Sequence, residues 1–171
     1  MGFVRSIDIR PAVRAELPRI CRTLGQRPYF VDRLNAQATG HGVLLVAWDR
    51  TEAVGDLYLW LAAAEEREIR AHLPGVPLIT HLEVEADRRN RGVGTALMRH
   101  AERHLWLDGL KQVALGVGLH NEAARRLYVR LGYVEWPHGP IDTTEVLFRA
   151  DGTREHRPET CRIMVKQLAS E

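Results

Sequence analysis

Apolar and polar positions alternate from Ser6 to Arg10, the period of a short strand. Apolar residues then recur at Val13, Leu17, Ile20 and Leu24, a helical spacing over Pro11 to Leu24. Pro18 is expected to shorten or bend that helix, and Gly25 with Pro28 marks its end before a second short helix over Phe30 to Ala38. The compact apolar run Val43 to Trp48, the polar Asp49 to Glu52 and the alternation from Val54 to Leu61 predict an antiparallel hairpin. Ala62 to His72 is acidic and basic by turns, and Leu73-Pro74-Gly75-Val76-Pro77 is a loop that interrupts the sheet. Two readings of this stretch stand: a solvated helical excursion, or a flap over a pocket.

Strand character returns from Leu78 to Glu85 and leads into Arg88-Arg89-Asn90-Arg91-Gly92-Val93-Gly94. Beyond it Val93, Ala96, Leu97, Ala101 and Leu105 fall on one helical face, which Gly109 closes. Gln112 to Gly118 predicts a strand, Asn121 an N-cap, Glu122 to Leu131 a helix and Gly132 its stop. Tyr133 to Trp136 and Cys161 to Leu168 read as further strands, with a polar, glycine-containing turn region between them. The order of elements is that of a mixed α/β domain, with no internal repeat and no low-complexity tract.

With 171 residues, 45% apolar and 27% charged, the chain is sized for one substantial core, so residues 1–171 read as a single domain. No apolar run approaches the roughly 18 to 20 residues that span a bilayer. The opening Met1 to Arg10 carries charge where a leader has its apolar stretch, and a cytoplasmic location is the expectation. Cys21 and Cys161 have no metal-ligand spacing and cannot form a disulfide framework, so idle or buried thiols are expected. Net charge is +2, and because Lys111 and Lys166 are the only lysines nearly all positive charge is arginine. The one tight cluster is Arg88, Arg89 and Arg91.

A strand that runs into an arginine- and glycine-rich turn opening a helix is a device for holding phosphate. The first amides of a helix lack partners, its dipole adds partial positive charge, and glycines let main chain approach an anion. Gly92 and Gly94 stand where this needs them, and the arginines add charge-assisted bonds. No lysine followed by Ser or Thr comes after Gly94, so this is not a P-loop, and the third glycine of a dinucleotide fingerprint is missing.

Arg89-Asn90-Arg91-Gly92-Val93-Gly94 closely resembles the acetyl-CoA motif of the GNAT superfamily: Arg or Gln, two residues, Gly, one residue, Gly or Ala. Asn121-Glu122-Ala123-Ala124-Arg125-Arg126-Leu127-Tyr128, followed by Leu131-Gly132-Tyr133, resembles that superfamily's second signature. The resemblance covers Leu78 to Trp136, with a weaker echo at Ile9 to Ala12, and residues 137–160 match nothing. It implies a GNAT-type fold, a central mixed sheet of six to seven strands flanked by about four helices. It implies an acetyl-CoA-dependent N-acetyltransferase working without a metal, with a primary amine on a small molecule or peptide as acceptor.

Carried over by position, the resemblance gives the main chain of Leu82, Glu83 and Val84 to the pantetheine arm. It gives the amides of Arg89, Asn90, Arg91, Gly92, Val93, Gly94 and Thr95 to the pyrophosphate. Asn121 lies beside the pantetheine or caps its helix. Tyr128 stands near the sulfur, where a phenol donates to a departing thiolate; the alternative is a tyrosine packed on an apolar helix face. For the base that takes the amine proton, His81, Glu83 and Glu85 alternate along one face if their strand is regular, and Glu83 is the candidate. A β-bulge, which this superfamily has here, would change that facing.

Other features rank lower. His100 and His104 have the spacing of a metal pair but no Glu between them in the metalloprotease manner, and read as helix-surface residues. Trp48, Trp60, Trp106 and Trp136 read as core or interface, with a wall of the acceptor pocket as the alternative for one of them. A competing class is an acyl-CoA-binding module without turnover, against which Tyr128 argues. A nucleic-acid-binding role is disfavoured because acidic residues nearly balance the arginines. Acceptor determinants are expected in Arg27 to Gln37 and Glu65 to Pro77. The acidic run Glu65, Glu66 and Glu68 fits a cationic acceptor and equally a solvated helix face. A homodimer pairing through Cys161 to Leu168 is a further expectation.

Overall fold

The computed structural model describes residues 6–170. The stretch Met1 to Arg5, read above for a leader, lies outside the described residues. The chain opens with β1 (Asp8–Pro11), a single 3-10 turn (Arg14–Glu16), α1 (Leu17–Leu24) and α2 (Arg27–Ala38). The helix expected over Pro11 to Leu24 is shortened to Leu17–Leu24, with Pro18 in its first turn, where its missing N–H costs nothing. The hairpin β2 (Gly42–Asp49) and β3 (Glu52–Trp60) follows, then the six-residue α3 (Arg67–His72) and β4 (Leu78–Val84). The second half holds α4 (Val93–Leu107), β5 (Gln112–Gly118), α5 (Glu122–Arg130), β6 (Val134–Glu135), β7 (Ile141–Phe148) and β8 (Arg154–Gln167).

Among the described residues one sheet holds eight strands, one more than the upper expectation, with five α-helices. The strand order is β1-β2-β3-β4-β5-β8-β6, with β7 also on β8. The added strand corrects the expected turn region of residues 137–160, which is instead most of a long β7–β8 hairpin running from Ile141 opposite Cys161 to Phe148 opposite Arg154. Its alternation is faint because both its faces meet solvent over much of its length, so the apolar period that marks a half-buried strand is missing. Cys161–Gly118 through Gln167–Gln112 pairs β8 with β5, while Met164 and Val165 pair with β6. The centre of that last strand is therefore occupied on both sides and offers no edge there for pairing across a dimer.

Side-chain alternation sorts the sheet into two faces. Leu44, Val46, Trp48 and Tyr58 join Leu17, Ile20, Phe30 and Leu34 beneath α1 and α2. Leu45, Ala47, Leu57 and Leu59 join Val93, Leu97, Met98, Ala101 and Leu105 of α4. The helical face expected of α4 is the buried one. β4 and β5 form a parallel pair at only two positions, Leu78 with Ala114 and Ile79 with Leu115. Past these the two strands diverge, while β4 stays bonded to β3 up to Val84 opposite Gly55. One main-chain edge of β4, at Leu82 to Val84, thus faces an open wedge.

Candidate active site

The wedge is a cleft of about 630 Å³. At one end is the turn between β4 and α4. Asn90 (φ 60°) and Gly92 (φ 83°) are left-handed, a conformation that glycine takes without a Cβ clash. The first helical bond of α4 runs from Ala96 N–H to the Gly92 carbonyl at 3.0 Å, so the amides of Val93, Gly94 and Thr95 precede any intrahelical acceptor. A Cβ built on Gly92 would meet nothing within 4 Å, and one on Gly94 only Val84 Cγ2 at 3.8 Å. The glycines leave a bare cradle over a helix N-terminus, the shape and polarity a pyrophosphate needs.

The three clustered arginines differ in surroundings. Arg88 is tied down by Asp49 and by Glu52 Oε2 at 3.2 Å, so it braces the turn against the β2–β3 hairpin. Arg89 lines the cleft, its Nε donating to the Val84 carbonyl at 3.1 Å. Arg91 is exposed.

At the other end, α2 and the β7–β8 hairpin meet across the cleft. Arg154 bonds Asp32 at 2.6 Å, and the Phe148 ring stands edge-on to Tyr29 at 5.6 Å. The floor is His81. Its register explains why: Tyr58 pairs with His81 but Leu59 with Ile79, so Thr80 is a bulge residue. Ile79 therefore shares the α4 core with Leu82 and Val84, while His81 and Glu83 turn to the cleft beneath α2. The bulge falls before His81, so the expected shared facing of His81 and Glu83 survives it.

Asp56, on β3 beside them, is 2% exposed. No aligned hydrogen bond reaches its Oδ2 among the described residues, but His81 Nε2 lies 3.2 Å from it. Glu83 Oε2 is 3.6 Å from the same nitrogen, and Tyr29 lies over the imidazole at 4.6 Å. Burial opposes charge on His81, yet contact with Asp56 and the charge of Glu83 outweigh it and raise its pKa above the ordinary histidine value. Burial and the Asp56 charge push the Tyr29 hydroxyl far up.

Tyr128 is 9% exposed and packs in the α4 core, its ring 6.0 Å from that of Tyr133. Burial pushes its hydroxyl up, and it is not among the described residues lining the cleft. Asn121 caps α5, its Oδ1 accepting from Ala124 N–H at 3.2 Å. Of the acidic run, Glu65 and Glu66 line the cleft and Glu68 does not. Cys161 lines it too, with its thiol pushed up by burial. His104 pairs with Asp108 at 3.5 Å on the surface of α4.

Sequence reasoning missed Asp56 and the hairpin wall, while Tyr29 lies in the stretch Arg27 to Gln37 expected to hold acceptor determinants. A signal for the first was present: an aspartate inside Val54-Gly55-Asp56-Leu57-Tyr58 is out of place in a buried strand unless it has a partner. The partner could not be read, because it sits on the next strand behind a bulge.

The acetyltransferase (GNAT) family profile matches residues 10–133. The chain belongs to that family. An uncharacterized N-acetyltransferase of Methanocaldococcus jannaschii is 36% identical over 76 residues, 44% of this chain and 30% of that protein's length. The chain thus matches under a third of that relative. The NAA60 protein of Arabidopsis thaliana, in complex with a bisubstrate analogue, superposes with a TM-score of 0.68 at 22% identity over 96% of this chain and 100% of the other. The paia N-acetyltransferase of Thermoplasma acidophilum, in complex with coenzyme A, gives 0.63 at 14% identity over 95% and 99%. These likenesses are of fold. The family match ends at Tyr133, so β6, β7 and β8, and with them one wall of the cleft, lie beyond it.

Proposed function

We propose that this protein is an acetyl-CoA-dependent N-acetyltransferase that passes the acetyl group directly to a primary amine on a small molecule or peptide. The observation that carries the reading is the wedge between β4 and β5 set over the glycine-floored start of α4. The open edge at Leu82, Glu83 and Val84 can bond the pantetheine amides as a strand adds to a sheet. The amides from Arg89 to Thr95 can take the pyrophosphate, with Arg89 adding charge. Asn121, having used its oxygen as a cap, retains its amide nitrogen for the same ligand.

Acetyl-CoA supplies an activated thioester, and the chain's task is to place an unprotonated amine against it. Two carboxylates before α3, Glu65 and Glu66, with Glu83 and Glu145 across the cleft, favour an acceptor that arrives as an ammonium. Tyr128, kept protonated by burial, fits the donor to the leaving sulfur if substrate binding brings the two together. Direct transfer is favoured over an acyl-cysteine route because burial holds the Cys161 thiol in its unreactive protonated form.

The test is titration calorimetry with acetyl-CoA, comparing the native chain with an Arg89→Ala, Gly92→Glu double variant. Saturable binding at one site per chain, lost in the variant, followed by acetylation of one member of a panel of spermidine, free amino acids, an aminoglycoside and short peptides, is expected. A folded protein that binds no acetyl-CoA refutes the reading. Binding without turnover of any amine makes the chain an acyl-CoA-binding module instead.

A further inference from the structure

We infer that His81 is the general base of the transfer and that Asp56 is its positioning residue, in place of Glu83 as the proton acceptor. The inference rests on the acetyltransferase reading above and assigns a role within the same site.

Three observations converge on His81. It is the imidazole on the cleft floor, and the Thr80 bulge is what turns it there. It is clamped: Tyr29 lies over the ring at 4.6 Å with the planes inclined by 35°, and Tyr58 stands opposite it on β3. It is also the counter-charge of a carboxylate that has almost no water. Asp56 is 2% exposed, a buried carboxylate is costly without a donor or cation beside it, and His81 Nε2 at 3.2 Å is the group that stands there. Glu83, by contrast, has a side chain 56% exposed, and its contact with the imidazole is longer, at 3.6 Å. A solvated carboxylate is a weak base near neutrality, whereas an imidazole backed by a buried carboxylate has its proton affinity raised toward the working range.

The contacts also favour one tautomer. With Nε2 turned to Asp56 and Glu83, its proton is held on that side, and the lone pair is on Nδ1. The charged and titratable groups around the ring are Asp56 and Tyr58 of β3, Glu83 of β4, Tyr29 and Arg33 of α2, and Glu145 across the cleft. Arg33 opposes protonation, and Asp56 and Glu83 favour it.

The step balances as follows. An acceptor ammonium gives one proton to His81 Nδ1, and its lone pair forms the C–N bond to the acetyl carbonyl carbon. The C–S bond breaks with its electron pair on sulfur. Tyr128 gives its hydroxyl proton to that sulfur, making the thiol, and recovers the second proton shed by nitrogen as the amide forms. His81 then releases its proton to solvent.

Two measurements test this. The first needs no acceptor: an NMR pH titration of the His81 ring in the native chain, Asp56→Asn and Glu83→Gln. The native midpoint is expected above that of an ordinary histidine, lowered in Asp56→Asn and lowered less in Glu83→Gln. An identical midpoint in all three overturns the role of Asp56. The second is the pH profile of kcat/KM with whichever panel amine turns over. Because the base must be unprotonated, activity rises with pH through the His81 pKa, and Asp56→Asn should move that limb to lower pH. His81→Gln should abolish the limb and lower kcat/KM by about 100-fold or more, with the Kd for acetyl-CoA unchanged. Should Asp56→Asn fail to fold, His81→Gln alone still decides the base. A native-like limb and rate in His81→Gln, with loss in Glu83→Gln, returns the role to Glu83 and refutes the inference. If the native enzyme binds no acetyl-CoA or acetylates nothing, it is the acetyltransferase reading that fails, and the base assignment falls with it.

Discussion

Tyr128 and His81 occupy opposite situations. Tyr128 was legible from its place in a sequence signature, yet it is packed among core side chains off the described cleft wall. His81 was one of three polar residues on a strand, and its distinction comes entirely from neighbours on other elements. Tyr128→Phe is expected to lower kcat by about 10- to 100-fold while leaving acetyl-CoA affinity unchanged, since a donor to the leaving sulfur acts in the transition state and not in binding. Steady-state kinetics beside calorimetry checks this, and unchanged kcat would reduce Tyr128 to a packing residue. Asn121 is the N-cap that the sequence predicts. Its cap on α5 is present, so Asn121→Ala should cost about 1 kcal/mol of stability by thermal unfolding, whatever it does to cofactor affinity.

At the scale of the element, α4 joins two duties that separate cleanly. Its buried stripe anchors the sheet, and its first turn carries the glycines proposed to cradle the pyrophosphate. Leu97, fully buried between α4 and β3, should cost about 2 to 5 kcal/mol when replaced by alanine, measured by denaturant unfolding, because the surrounding core closes only partly over the lost atoms. Gly94→Glu should do the reverse. The position has ordinary φ and open space, and a carboxylate in a helix's first turn is stabilising, so the melting temperature should hold or rise. Acetyl-CoA affinity should nevertheless fall about 100-fold or more, because the new charge would repel the pyrophosphate proposed to bind there. The periodicity of α4, α5 and β5 was readable because each has one face in the core. α1 was overextended because apolar spacing does not show that the chain enters the helix only through a 3-10 turn.

Across the whole molecule, the cleft is built from two stretches of the chain. Residues 10–133 carry the family match, and the β7–β8 hairpin beyond it supplies the far wall. The hairpin meets α2 through Arg154 with Asp32 and Phe148 with Tyr29. An ion pair as exposed as this contributes roughly 1 kcal/mol or less, so the aromatic contact is the main attachment. An Arg154→Ala, Phe148→Ala double variant should keep its fold and its Kd for acetyl-CoA while raising KM for the acceptor. Equal loss of both affinities would show that the hairpin holds the whole cleft together.

Sequence alone was enough for the element order as far as β6, the α4 core face, the cap on α5 and the glycine turn. Each is a local matter of period, backbone freedom or a side chain within a few residues of its partner. Tertiary structure alone decided the rest. Asp56 meets His81 across two strands and through a bulge, and Phe148 meets Tyr29 between segments far apart in the chain. The wedge arises because two parallel strands part after two paired positions. None of these leaves a period in the sequence, since contact between distant segments is set by register, twist and packing rather than by the residues on either side.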